Sequence, residues 1–156
     1  MTCTLVDMPR EDRAWLHQHF APYFRELVPD LPIPTPERND RYWDDPDGHP
    51  LLILQGRARA GFALVHKDRA RFELAEFAIL PPMRRHGLGA EAVDLALQRF
   101  PGPWVIGVAS RSGSAAPFWA KILKRNPFVH GLQEGPSLTP YQSHRYTFTY
   151  QGTSDD

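Results

Sequence analysis

Several things are scarce or missing from this sequence, and each absence closes off a class of protein. It has one cysteine, Cys3, so it cannot staple itself internally and nothing in it asks for an oxidising compartment. It has no net charge: 18 basic residues balance 18 acidic ones. That argues against binding nucleic acid by phosphate neutralisation and against a polybasic membrane anchor. No apolar run approaches the roughly 18 residues of a membrane span. The first residues, MTCTLVDMPRED, lack a basic segment followed by an apolar one, so no secretory signal is expected. The seven histidines are scattered without an H-E-x-x-H pattern or cysteine partners, so no metal site is expected. The acidic run around Asp44, Asp45 and Asp47 lacks the ligand pattern and closing glutamate of a calcium loop. The default reading is a cytoplasmic protein.

What is present points to one folded domain. A hydrophobic content of 42% and 12% aromatic residues in 156 residues suffice for a single core. That domain is expected to span residues 1–152, with 153–156 as a disordered tail. Thr2–Met8 reads as a strand. A helix should follow Pro9, with Leu16, Phe20, Tyr23, Phe24 and Leu27 at helical spacing and Pro22 kinking or splitting it. PDLPIPTP, 29–36, predicts an extended connector, and 37–50 a polar loop carrying Tyr42 and Trp43. LLIL and AGFALV flank QGRAR as a hairpin turning at Gly56. FELAEFAIL, 72–80, is apolar enough for a strand covered on both faces.

A helix is expected over 87–100, its buried stripe Leu88, Ala92, Leu95 and Ala96, then a strand at Trp104–Ala109. Another helix over 114–125 and strands at 128–132 and 144–150 complete the chain. The fold class is α/β (α+β): a mixed, mostly antiparallel sheet of about six or seven strands, helices on both faces. The strands at 72–80 and 104–109, joined through a helix, should be a central parallel pair.

The stretch PPMRRHGLGA, 81–90, lies in the turn from one of those strands into a helix. A helix start carries unpaired N–H groups and the positive end of the dipole, and glycine lets backbone approach an anion closely. R-x-x-G-x-G here reads either as a pyrophosphate cradle or as a glycine turn that packs a helix tightly onto a sheet. It is not a Walker A loop, since no Gly-Lys-Ser/Thr follows. It is not a Rossmann fingerprint, since G-x-G-x-x-G is absent.

ILPPMRRHGLG resembles the defining motif of the GNAT superfamily of N-acetyltransferases, with Arg84, Gly87 and Gly89 at the three motif positions. SGSAAPFWAKIL, 112–123, resembles that superfamily's second CoA-side helix, and the order of elements is similar to the GNAT order. With YWDDPDGHPLLILQGRARAGFALV, AEFAIL and FPGPWVIGV, the resemblance runs from about Arg41 to Gly152, toward a branch of small GNAT proteins with a Phe-Trp second motif. It implies acetyl-CoA as cosubstrate and an amine as acceptor. The pyrophosphate would lie on Arg84, Arg85, His86, Gly87, Leu88, Gly89 and Ala90. The pantetheine arm would pair with the strand at Phe77 and Ile79, and Ser112, Ser114, Phe118 and Trp119 would border the CoA. The fold so implied is compatible with a homodimer, though no sequence feature specifies one. No metal, nucleic acid or membrane partner is implied.

Two departures bear on mechanism. Ser112 stands where the family usually has asparagine. Trp119 stands where many members have the tyrosine that protonates the departing thiolate, and indole does not titrate in this range. Ser114, Tyr141 or a water could substitute. For the base, Glu73 and Glu76 lie in an apolar strand, where burial would raise a carboxyl pKa toward neutrality. A regular strand would point them to opposite faces, so at most one should reach the acceptor unless a bulge intervenes. Glu76 is slightly favoured, and an ion pair with arginine is the alternative role. The loops 29–50 and 136–144 should wall the acceptor pocket, with Tyr42, Trp43 and Tyr141 as lining candidates. The leading reading is an acetyl-CoA-dependent N-acetyltransferase acting on a small-molecule or peptide amine. A CoA-binding module with weak or lost catalysis, and a domain whose glycines only pack, remain as alternatives.

Overall fold

A computed structural model describes residues 2–84 and 87–152. Seven strands form one sheet in the order β1-β2-β3-β4-β5-β7-β6. β1 (Cys3–Asp7), β2 (Gly48–Gln55), β3 (Ala58–Asp68) and β4 (Arg71–Ile79) are antiparallel neighbours. β5 (Gly102–Ala109) lies parallel to β4, and β7 (Gln142–Tyr150) and β6 (Val129–Gly135) continue the sheet antiparallel. The mixed sheet with one parallel pair is the expected architecture. Gly56 sits in the β2–β3 turn with φ +60°, a conformation that glycine adopts without steric cost.

Helices cover both faces. α3 (Leu88–Arg99) is the crossover from β4 to β5, and with α4 (Ala115–Arg125) it packs on one face. There Leu88, Ala92, Val93 and Leu97 meet Trp104, Ile106, Trp119 and Tyr146. Val93 and Leu97 are buried and Leu95 only partly so, so the stripe is rotated slightly from the one expected. α1 (Arg13–Leu27) covers the other face, where Leu16 and Phe20 pack with Tyr42, Phe62 and Leu64.

Two expectations are corrected. Pro22 does not split α1, which runs as one helix from Arg13 to Leu27. Proline removes one backbone donor, and the burial of Leu16 and Phe20 on the core face holds the helix against the sheet despite that loss. The stretch 37–50 is not all loop. It holds a 3-10 turn at Pro36–Asn39, a single helical turn α2 (Arg41–Asp44) and the start of β2. Tyr42 anchors that turn in the core with 1% exposure, and the Trp43 indole N–H donates to the Met8 carbonyl at 2.8 Å. Among the described residues, no helix is long and apolar enough to cross a membrane.

Candidate active site

The site begins with a strand pair that fails to stay together. β4 and β5 are paired only at Phe72–Trp104 and Glu73–Val105. Beyond those positions β4 keeps its bonds to β3, β5 keeps its bonds to β7, and the sheet opens between them. The edge of β4 along this gap can be read from alternation. Leu80 N–H bonds to Ala60 of β3, so Phe77 and Ile79 direct their main-chain groups the other way, into the gap. Two observed contacts agree. Phe77 N–H donates to the Tyr23 hydroxyl at 3.4 Å, and the Ile79 carbonyl accepts from Arg84 Nε at 2.8 Å.

A bulge in β4 decides where its side chains point. Leu64 of β3 opposes Glu76, and the next residue, Val65, opposes Leu74, which leaves Ala75 as the additional residue. Leu74, Phe77 and Ile79 therefore pack on the α3/α4 face, while Ala78 packs on the α1 face. Glu73 and Glu76, which a regular strand would separate, line the same cavity.

Two adjacent cavities flank the gap. The first, about 340 Å³, is lined by Phe77, Ile79, Arg84, Gly89, Ser112, Ser114, Phe118 and Trp119, among others. Eight residues expected around the CoA are thus brought together. Trp119 is buried, with its ring edge-on to Phe77 at 5.8 Å and to Phe118 at 5.0 Å. The hydroxyls of Ser112 and Ser114 lie 3.3 Å apart at the mouth of α4.

α3 starts beside this cavity. Gly87 caps it in a left-handed conformation, φ +72°, with no atom of the described residues within 4 Å of where a Cβ would stand. Gly89 faces the Phe118 ring, which an added Cβ would approach to 3.3 Å. The two glycines thus have separate reasons, one conformational and one of close approach. Leu88 contributes its side chain to the core, leaving only its main chain toward the helix start. Ala90 borders a groove between α3 and α4 instead of the cavity. Arg85 and His86 lie outside the described residues.

The second cavity, about 560 Å³, shares Tyr23, Leu27, Ala75, Gly107 and Ala109 with the first. Its walls add Leu31, Arg38 and Arg41 from the 29–50 segment and Thr139 to Gln142 from the loop before β7, as expected of those two loops. Tyr141 lines it, whereas Tyr42 and Trp43 do not. The loops are tethered: Ser110 bonds to the Tyr141 carbonyl through both N–H and Oγ, and Arg111 pairs with Asp30 at 3.2 Å.

Glu76 is held by two partners, Tyr23 and Arg38. Its Oε1 accepts from the Tyr23 hydroxyl at 2.8 Å, and its Oε2 faces Arg38 at 3.4 Å. Burial pushes its carboxyl pKa up, while Tyr23 and Arg38 pull it back. Burial also raises Glu73, with Arg41 opposing. The Tyr23 phenol is pushed well above its ordinary value, by burial first and by the charge of Glu76 second. Glu76 therefore does take an arginine partner, and it still lines the cavity.

Sequence reasoning missed Tyr23, Arg38 and Arg41. Tyr23 was hidden among the apolar residues of an amphipathic helix, and the two arginines sat in a stretch that reads as loop. A tyrosine at a helix position otherwise filled by phenylalanine and leucine was the one available signal.

A seven-stranded sheet opened between its one parallel pair, with a glycine-led helix beside the opening, is the GNAT fold. Residues 14–123 match the model of the Acetyltransferase (GNAT) family, and the chain belongs to that family. No curated protein matches the sequence at a significant level. Among solved structures, an acetyltransferase from Thermus thermophilus is similar at 19% identity and TM-score 0.71, over 94% of this chain and 96% of that one. Spermidine N-acetyltransferase from Vibrio cholerae, in complex with CoA and spermine, is similar at 15% identity and TM-score 0.70, over 96% and 95%. The PaiA N-acetyltransferase from Thermoplasma acidophilum, in complex with coenzyme A, follows at 14% identity and TM-score 0.64, over 96% and 100%. At these identities the likeness is one of fold.

Proposed function

We propose that this protein transfers an acetyl group from acetyl-CoA to a primary amine carried by a small molecule or a peptide. The observation that carries the reading is the opened β4 edge, where the main chain of Phe77 and Ile79 faces a cavity leading to the start of α3. An extended amide-bearing arm suits that edge, since it can take up strand-like hydrogen bonds that β5 leaves unmade. A diphosphate suits the N–H groups of Leu88, Gly89 and Ala90 at a glycine-capped helix start, with open space at Gly87. These residues fit acetyl-CoA, which would supply an activated acetyl group.

The chain's own residues then divide the work. Ile79 N–H is placed to polarise a carbonyl in the gap. Glu76 would accept the amine's proton, burial making its carboxylate a stronger base than an ordinary one. Glu73, in the same cavity, attracts an ammonium and adds negative potential.

Two arginines share that cavity with the two glutamates. The balance suits a mono-amine or a zwitterion better than a polycation, so a polyamine such as spermine, bound by the Vibrio cholerae relative, is disfavoured here.

The second reading, CoA binding without turnover, is favoured by one observation: the cavity beside the opened edge is walled by Trp119, whose indole cannot act as an acid. Calorimetry with acetyl-CoA, followed by thiol release across a panel of amines, separates the two. Binding with thiol release supports the transferase, and binding without release supports the module. No binding at all sinks both.

A further inference from the structure

On the acetyltransferase reading Trp119 cannot protonate the departing sulfur, because it offers only an indole N–H that does not titrate in this range. We propose that Tyr23 of α1 donates that proton, and that Tyr23 and Glu76 form one relay carrying the amine's proton to the thiolate. The assignment rests on that reading of the site.

Geometry carries it. Tyr23 lines both cavities, so it stands where the CoA side and the acceptor side meet. Its hydroxyl donates to Glu76 Oε1 at 2.8 Å and accepts from Phe77 N–H at 3.4 Å. The phenol oxygen is therefore held at the opened edge of β4, between the base and the strand that flanks the gap. The ring is fixed there, edge-on to Phe62 at 5.4 Å and against Phe20 at 5.6 Å. The charged and titratable groups facing the pair come from every neighbouring element: Arg38 from the 3-10 turn, Arg41 and Tyr42 from α2, and Glu73 from β4.

The proton balance closes without outside help. As the amine nitrogen bonds to the acetyl carbon, Glu76 takes a proton from that nitrogen. The carbon–sulfur bond breaks with its electron pair on sulfur. Tyr23 gives its proton to the sulfur and takes the one held by Glu76. One proton has moved from nitrogen to sulfur, and both side chains are restored. Burial keeps the phenol's pKa well above its ordinary value, so Tyr23 alone would be a poor acid toward a thiolate whose conjugate pKa is about 8.5. The proton that Glu76 has taken from the amine replaces the one Tyr23 gives up, so no phenolate is left behind.

The test compares two acetyl donors in a thiol-release assay with the best acceptor from the amine panel. One donor is acetyl-CoA; the other is an aryl thioester of acetate, whose thiol is acidic enough to leave unprotonated. Tyr23→Phe should lose about 10²-fold or more in kcat with acetyl-CoA and less than about tenfold with the aryl thioester. Its acetyl-CoA affinity, by calorimetry, should be unchanged. Adding Glu76→Gln to Tyr23→Phe should cost little further, as expected of groups acting as a unit. A native rate in Tyr23→Phe, or equal losses on both donors, overturns the relay. If Tyr23→Phe does not fold, 3-fluorotyrosine at position 23 keeps the ring and lowers the phenol pKa. It should move the basic limb of the rate profile to lower pH, and an unmoved limb overturns the assignment. A wild-type protein that releases no thiol to any amine removes the transferase reading and the relay with it. A turning-over wild type with an indifferent Tyr23→Phe removes the relay alone.

Discussion

Glu73 and Glu76 line one cavity because Ala75 is inserted between them as the additional residue of a bulge. In a regular strand their three-residue spacing would send one of them to the opposite face. The bulge also sits where β4 and β5 part, since their pairing ends at Glu73. One local irregularity thus coincides with both the opening of the sheet and the convergence of two carboxylates.

The two glutamates should nonetheless differ in effect. Glu76 is bonded to Tyr23 and next to the shared boundary of the cavities, whereas Glu73 sits where the strands are still paired. Glu76→Gln should lower kcat by about 10²-fold and flatten the acidic limb of the pH–rate profile. Glu73→Gln should act mainly on the KM for the amine. Steady-state kinetics against pH decides it, and equal kcat losses would show that the division of roles is wrong.

Gly87 offers a cleaner test of the helix start than most glycines. Its φ of +72° disfavours most side chains, yet a Cβ there would touch none of the described residues. Asparagine tolerates the left-handed region, so Gly87→Asn should fold with little loss of stability. Its acetyl-CoA affinity should drop by about tenfold or more, or roughly 1.4 kcal/mol. Gly87→Val should lose affinity too, with an added strain of about 1–3 kcal/mol in stability. Calorimetry and thermal melts on both variants separate the two effects. Unchanged affinity in a folded Gly87→Asn would mean that no phosphate sits there.

The order of elements, the parallel pair and the glycine-led helix start were legible because they rest on local signals. Apolar runs, helical spacing and a glycine cluster are read within a dozen residues. Glu73 and Glu76 on one face were not legible, because the bulge exists only in register with β3. Tyr23 was not legible because its role needs Glu76, a contact across 53 positions of sequence. Pro22 misled for a similar reason: burial of Leu16 and Phe20 outweighs one lost hydrogen bond. Arg38 and Arg41 were lost in a proline-rich stretch whose short helical turns are set by Tyr42 packing in the core.

The raised carboxyl of Glu76 should be visible in stability as well as rate. A folded pKa above the unfolded value of about 4.5 means that folding is most favoured below that pH. As pH rises, the unfolded chain releases its proton while the folded one keeps it, so stability falls until the folded pKa is passed. Glu76→Gln has no proton to lose. Its stability relative to wild type should therefore grow as pH rises from about 4.5, and level off above the folded pKa. Urea unfolding at a series of pH values measures the difference. A gap that shrinks with pH would show that Tyr23 and Arg38 outweigh burial.

Trp119 provides the counterpart to Tyr23. Its ring packs against Phe77 and Phe118 beside the gap. A side chain buried to 7% exposure between two phenylalanines shapes the wall of the cavity. Trp119→Phe keeps an aromatic wall and removes the indole donor. It should bind acetyl-CoA nearly as well and stay within about tenfold of the wild-type rate, less than a typical general-acid loss. Trp119→Ala should cost about 3–5 kcal/mol in stability through the cavity it leaves. The contrast with Tyr23→Phe is the informative result. If the proton comes from α1, the variant that loses a phenol should be far slower than the one that loses an indole. A thousandfold drop in a folded Trp119→Phe with intact affinity would place the donor on α4 instead.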